Sequence, residues 1–210
     1  TKGDVLYFAL EDNQRRMNRR IKKLIMDHFE FAPENAQLIT DKVPRLSQGF
    51  EIELERYLEK YPNTRLVVID PFTFIETPPK RKQPMRSYQE DYDAIGRLTK
   101  LTREKYPHLA ILLVYHMRKE GSGNWLDTVM GTTGLSGAVD NLLFIRRENA
   151  QSDAVFYMTG KDIENETEYA MSFDKVTACW QILGEAQEYA LSNERQEIVK
   201  CIKDGITHYA

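Results

Sequence analysis

Two cysteines in 210 residues, Cys179 and Cys201, are too few for a disulfide framework or a four-ligand zinc site. A reduced, cytoplasmic setting is the resulting expectation. No run of about 18 apolar residues occurs, which excludes a membrane-spanning helix. Charge of one sign is lacking too. The 29 Lys and Arg against 32 Asp and Glu leave a net charge of −3, so the chain is not coated in positive charge, although a local basic site remains open. The most telling absence concerns glycine. None of the 11 glycines stands in the pattern Gly-x-x-x-x-Gly-Lys followed by Ser or Thr. The one Gly-Lys pair, Gly160-Lys161, is followed by Asp162, and Val155 stands where the first glycine is required. A phosphate cradle of backbone N–H groups and a lysine is therefore missing from the sequence. The chain opens Thr-Lys-Gly-Asp straight into an apolar run, with neither an initiator Met nor a signal-peptide pattern. It reads as a piece of a longer chain.

What is present is ordinary for a globular domain: 41% apolar and 29% charged residues. Residues 5–10, Val-Leu-Tyr-Phe-Ala-Leu, read as a strand buried on both faces. From Asn13 the period becomes helical, with Met17, Ile21, Leu24, Ile25 and His28 on one face and Arg15, Arg16, Arg19, Arg20, Lys22 and Lys23 on the other. Residues 36–39 suit a short strand. Gly49 to Tyr61 reads as a helix with Ile52, Leu54, Tyr57 and Leu58 apolar, stopped by Pro62 and Asn63. A second buried strand spans 65–69 and ends at Asp70-Pro71. After a polar segment from Glu76 to Ser87, Tyr92 to Tyr106 is helical in period. A third buried strand spans 109–115, with His116 at its end, followed by a glycine-rich stretch, Glu120 to Gly137. Strands are expected near 141–146, 154–159 and 168–173, and helix from about 182 to 203. Strand and helix alternate through the first part, the signature of a mostly parallel α/β sheet with crossover helices. The later strands, joined by short polar loops, read as an antiparallel extension.

Ligands in open α/β sheets bind beyond the carboxyl ends of the strands. Three successive core strands here end in a chemically capable residue: Glu11, Asp70 and His116. An acid after a strand is often only a helix cap, and a lone histidine is often structural. The three together, in order, suggest metal-assisted phosphoryl transfer, in which an aspartate holds Mg²⁺, usually through its water shell, a glutamate orients and deprotonates the attacking water and a polar group senses the γ-phosphate.

On these residues the sequence resembles the RecA-like ATPases, in the branch of the RepA-type hexameric replicative helicases, with DnaB-type helicases and KaiC more distant. The matching pieces are Tyr-Phe-Ala-Leu-Glu-Asp-Asn at 7–13, Arg-Leu-Val-Val-Ile-Asp-Pro-Phe at 65–72, Ile-Leu-Leu-Val-Tyr-His-Met-Arg-Lys at 111–119 and Gly-Leu-Ser-Gly-Ala-Val-Asp-Asn at 134–141. The resemblance implies a RecA-like core over residues 1–180, truncated before Thr1 and missing its P-loop strand. Residues 181–210 would be a C-terminal helical segment that starts a cut-off appendage. It implies that Glu11 and His116 are catalytic, as base and sensor, and that Asp70 is the Walker B metal carboxylate. In the family the P-loop strand lies between the sensor strand and the next, so its loss should leave a gap or a rearranged sheet beside 109–115, an edge that a neighbouring chain or further N-terminal residues would cover.

The same resemblance assigns single-stranded DNA to two loops. Lys80, Arg81, Lys82 and Arg86 fall in the first, with Tyr88 as a stacking candidate, and Arg118 and Lys119 open the second, which also carries Trp125. Arg146, Arg147 or Lys161 would be the trans-acting finger that completes a neighbour's site, although solvated arginines at a strand end explain the first two equally well. The basic face at 15–23 fits a surface or subunit contact better than DNA. The parent protein would be a cytoplasmic homo-oligomeric ring using ATP and Mg²⁺, with no membrane partner. This chain alone would bind no nucleotide and hydrolyse none. The alternative is a non-catalytic RecA-fold scaffold or DNA-binding module.

Overall fold

A computed structural model describes residues 2–28, 34–77, 88–116, 137–147, 153–164 and 166–190. They belong to two compact units, Thr1–Val139 and Asp140–Ala210.

The first unit is a four-stranded parallel sheet. Strand β1 is Asp4–Ala9, β2 Ala36–Ile39, β3 Thr64–Asp70 and β4 Ala110–Leu113, in the spatial order β2-β1-β3-β4. Helices α1 (Gln14–His28), α2 (Phe50–Lys60) and α3 (Tyr88–Glu104) make the crossovers. Asn13 caps α1: its side-chain oxygen accepts from the Arg16 N–H at 2.9 Å. Gly49, at φ 95°, turns the chain into α2, a backbone conformation that costs glycine nothing. Glu51 and Glu53 at the start of α2 and Lys60 at its end complement the helix dipole.

The core lies on one face of the sheet. Leu6 and Phe8 of β1 and Val67 and Ile69 of β3 pack with Phe50, Leu54 and Leu58 of α2 and Ala94, Ile95, Leu98 and Leu101 of α3. The Phe8 ring meets Phe50 and Tyr57 edge-on, with centroids 5.7 and 5.4 Å apart. Right-handed crossovers put α1 on the opposite face, because β1 to β2 runs the other way across the sheet from β2 to β3 and β3 to β4. Met17 of α1 and Val68 of β3 are buried outside the main cluster, as that placement requires.

The second unit is a separate four-stranded antiparallel sheet. Its strands β5 (Asn141–Arg147), β6 (Asp153–Gly160), β7 (Glu168–Asp174) and β8 (Cys179–Glu185) lie in sequence order. Among the described residues no pairing joins β4 to β5. No helix among them is long and apolar enough to cross a membrane.

Ile52, one of the four apolar residues noted in α2, is 70% exposed, because residues 50, 54, 57 and 58 form the inner face and 52 lies nearly opposite. Three expectations need correction. The strand at 109–115 was expected to be buried on both faces. Instead β4 is short, with Leu112 40% exposed, and among the described residues it pairs with β3 alone. Residues 182–185 were expected to be helical but complete β8, where Trp180 lies opposite Phe173 and Ile182 opposite Met171. The next described helical residues are 186–190, and 191–210 lie outside the described residues. Helix α3 begins at Tyr88, four residues before the expected start.

Truncating the centre of the first core should be costly. Phe8→Ala removes a fully buried ring and should destabilise the chain by about 3–5 kcal/mol, whereas Ile52→Ala should change stability by less than about 0.5 kcal/mol. Urea unfolding of the two variants checks the contrast.

Candidate functional site

The register of β1 on β3 builds the site. Phe8 lies opposite Ile69 and Ala9 opposite Asp70. One residue further, the Leu10 N–H donates to the Asp70 carbonyl at 2.8 Å, so Glu11 leaves β1 beside the carboxyl end of β3. On the other side of β3, the Val114 N–H donates to the Ile69 carbonyl at 3.0 Å, and the Phe72 N–H donates to the Val114 carbonyl at 2.8 Å. These two bonds hold the chain against β3 beyond the end of β4, as far as the approach to His116.

Strands β1 and β4 flank β3, so two strand spacings, roughly 9–10 Å, separate them. Even so, His116 Nε2 lies 3.9 Å from Glu11 Oε2, so the two side chains reach toward each other across the end of β3. Both are exposed. The separation is too long for a hydrogen bond, and an exposed pair of this kind adds little to stability. Its interest is chemical: a carboxylate and an imidazole meet, facing solvent, beyond the end of β3.

Two further carboxylates stand nearby, each with its own partner. The Tyr7 hydroxyl donates to Asp70 Oδ2 at 2.5 Å. Burial, then the hydrogen bond to Asp70, raises the Tyr7 phenol above its ordinary value, so it remains a neutral donor. Asp12, whose side chain is 10% exposed, is paired with Arg16 Nη1 at 2.9 Å and with Arg20, both on α1. Of the three acids, Glu11 is the one left facing water.

Asp70 fits a magnesium carboxylate by the chemistry of its donors. Mg²⁺ prefers hard oxygen ligands, keeps several waters and binds through one or two carboxylates plus phosphate oxygens. Asp70 offers Oδ1, which accepts no hydrogen bond from another described residue. No group of three His, Cys, Asp or Glu among the described residues is placed to hold a metal unaided. ATP does not fit this chain in the same way, because the phosphate cradle is absent from the sequence. Gly160, of the single Gly-Lys pair, has a different reason to be glycine: a Cβ there would stand 2.2 Å from Asn141 Oδ1.

Lys80, Arg81, Lys82, Arg86, Arg118, Lys119 and Trp125 lie outside the described residues, and Tyr88 is the first residue of α3. Arg146 and Arg147 are adjacent in β5 and so project to opposite faces of its sheet. The Arg147 guanidinium lies over the Trp180 ring, 5.6 Å from its centroid. Lys161 Nζ is 2.7 Å from Asp140 Oδ1, an ion pair within the second unit. Sequence reasoning missed Tyr7, whose reach depends on strand register. It also missed the Asp12 pairs, although an aspartate four residues before Arg16 at a helix start was a readable signal.

A family described as an AAA domain matches residues 1–122 through its sequence model. No curated protein sequence matches the chain. Among solved structures, an ATPase domain superposes with a TM-score of 0.60 at 13% identity, over 85% of this chain and 74% of that one. A DnaB-like replicative helicase, described with its interactions with primase, superposes with a TM-score of 0.59 at 15% identity, again over 85% of this chain. The match spans about half of that helicase, 51%. Identities this low speak for the fold, which is RecA-like: a parallel sheet with a second, antiparallel one.

The Tyr7 environment sets a pH dependence. The folded chain keeps the phenolic proton at a pH where the unfolded chain releases it. The stabilisation is complete below the unfolded value, about 10, and is lost as pH rises through the raised folded value. Stability should therefore fall more steeply in the wild type than in Tyr7→Phe above about pH 10. Urea midpoints across that range test this, and parallel slopes would exclude Tyr7 as the group responsible.

Proposed function

The chain belongs to the AAA-domain family, and from that premise we propose that it forms the C-terminal part of the RecA-like ATPase core of a DNA replication helicase or mobile-element replication ATPase, which couples ATP hydrolysis to movement along single-stranded DNA. The observation that carries this reading is the meeting of Glu11 and His116 across the end of the strand that Asp70 terminates. In this reading Glu11 accepts the proton of the attacking water. His116, beside it, responds to phosphate, and the same contact lets it influence the base. Asp70 anchors Mg²⁺. When bound, that ion would neutralise charge on phosphate oxygens.

The phosphate cradle is then supplied outside these 210 residues, and the chain alone turns over no ATP. The parent protein is a cytoplasmic ring, in which Arg146, Arg147 or Lys161 completes a neighbour's site. Lys161 must first leave Asp140 to do so, whereas Arg147 must leave the Trp180 ring. The basic segment with Lys80, Arg81, Lys82 and Arg86, together with Arg118 and Lys119, meets the DNA backbone. The missing cradle also favours a second reading, a non-catalytic RecA-fold scaffold or DNA-binding module. A P-loop in the coding sequence before Thr1 would favour the motor, and its absence there would favour the module.

Two measurements test the proposal on the chain itself. Purified protein should show no ATP hydrolysis, and turnover abolished by Glu11→Gln would overturn the division of the site. Labelled single-stranded DNA should bind weakly and with strong salt dependence, since one chain lacks the avidity of a ring. Changing Lys80, Arg81, Lys82 and Arg86 to Ala should flatten the salt slope by about three, and unchanged binding would remove that segment from the DNA path.

A further inference from the structure

We propose that the basic face of α1 is a docking surface for a second copy of this chain, and that it takes the acidic β6–β7 connection of that copy. The inference rests on the reading of the parent protein as a homo-oligomer and involves neither Glu11, Asp70 nor His116.

The charge on α1 works against the helix itself. Arg15, Arg16, Arg19, Arg20, Lys22 and Lys23 are all exposed, and no acid occurs between Gln14 and Met26. At about 100° per residue these cations fill one arc, on the side away from buried Met17. Arg15 and Arg19, Arg16 and Arg20, and Arg19 and Lys23 are like charges four residues apart, which destabilise a helix. Arg15 also stands in the first turn, which holds no acid and where the helix dipole disfavours a cation. Asp12 offsets part of this through Arg16 and Arg20. Arg15, Arg19 and Lys22, spaced i, i+4 and i+7, form a stripe with no ion-pair partner among the described residues. Charge kept at the helix's expense points to an anionic partner.

The same chain carries the anions. Residues 148–197 hold eleven acidic and three basic side chains. Among the described ones, Asp162, Glu164 and Glu166 are exposed between β6 and β7, and the lysine beside them, Lys161, is already paired with Asp140. Two different, complementary patches on one chain suit a head-to-tail contact, which closes into a ring when the rotation allows. Single-stranded nucleic acid is a poorer match, because base stacking needs aromatic rings and none stands between Gln14 and Met26. A lipid surface is poorer still, since it needs a free apolar face and Met17 on that side of α1 is buried in the protein.

Sedimentation velocity of the 210-residue chain, with no nucleotide or DNA present, tests the contact. The wild type should self-associate at about 0.01 M ionic strength and dissociate toward about 1 M, as the screening length falls from about 30 to about 3 Å. Arg15→Glu, Arg19→Glu and Lys22→Glu together should weaken association at least about 10-fold, and so should Asp162→Lys, Glu164→Lys and Glu166→Lys together. An equimolar mixture of the two triple variants should assemble again, because the reversed helix of one meets the reversed connection of the other. A wild type that stays monomeric at low salt would overturn the inference, as would a mixture that stays monomeric. Self-association that survives both triple changes would remove this contact and leave the ring reading standing. Loss of single-stranded DNA binding in the helix variant, with self-association unchanged, would assign the face to nucleic acid and overturn the proposal.

Discussion

The parallel pairing of β1 with β3 is the constraint on which the rest of the site depends. Buried apolar groups enforce it. Leu6 and Phe8 lie opposite Val67 and Ile69, and all four face α2 and α3. A slip of one residue would turn these side chains away from the core and bring Tyr7 and Ala9 into it. The same register, on the other face, sets the Tyr7–Asp70 diagonal and brings Glu11 level with the end of β3. Hydrophobic burial on one side of the sheet thus fixes polar geometry on the other.

Electrostatics then distinguish three acids crowded at one edge. Asp12 is tied to two arginines of α1, and Asp70 accepts from a phenol. Glu11 faces a histidine at the water boundary. Like charges so close would otherwise repel and compete for one cation. Giving each a different partner sets them apart: a charge balanced locally, an oxygen held in place, and a carboxylate open to solvent. Most of these contacts are exposed and add little to folding, so the grouping is better understood as chemistry than as structural support.

Strand β4, among the described residues, ends the parallel sheet on one side. Parallel sheets are normally covered on both faces and along their length, because an open edge leaves backbone groups unpaired. Here β4 runs for four residues and is half open to water, while β3 beside it is buried. Even so, the backbone bonds at Val114 extend its alignment with β3 and keep the approach to His116 in place. The family resemblance assigns the phosphate-cradle strand to the far side of this same edge.

The order of strands and helices in the first unit was legible in the sequence, because hydrophobic period is a local property that each segment carries by itself. So was the candidacy of Glu11, Asp70 and His116, each marked by the end of an apolar run. Where two local patterns overlapped the reading failed: the alternation of Trp180 and Ile182 was lost in the helical period that follows, and β8 went unseen. That Ile52 is apolar did not tell which way it points, because only the angular positions of the residues define a helix face. Neighbour order and register belonged to the tertiary structure alone. Tyr7 and Asp70 stand 63 residues apart, and nothing local to either specifies the other. Their meeting follows from which strands pair and at what offset, and the burial of side chains drawn from four separate elements decides that.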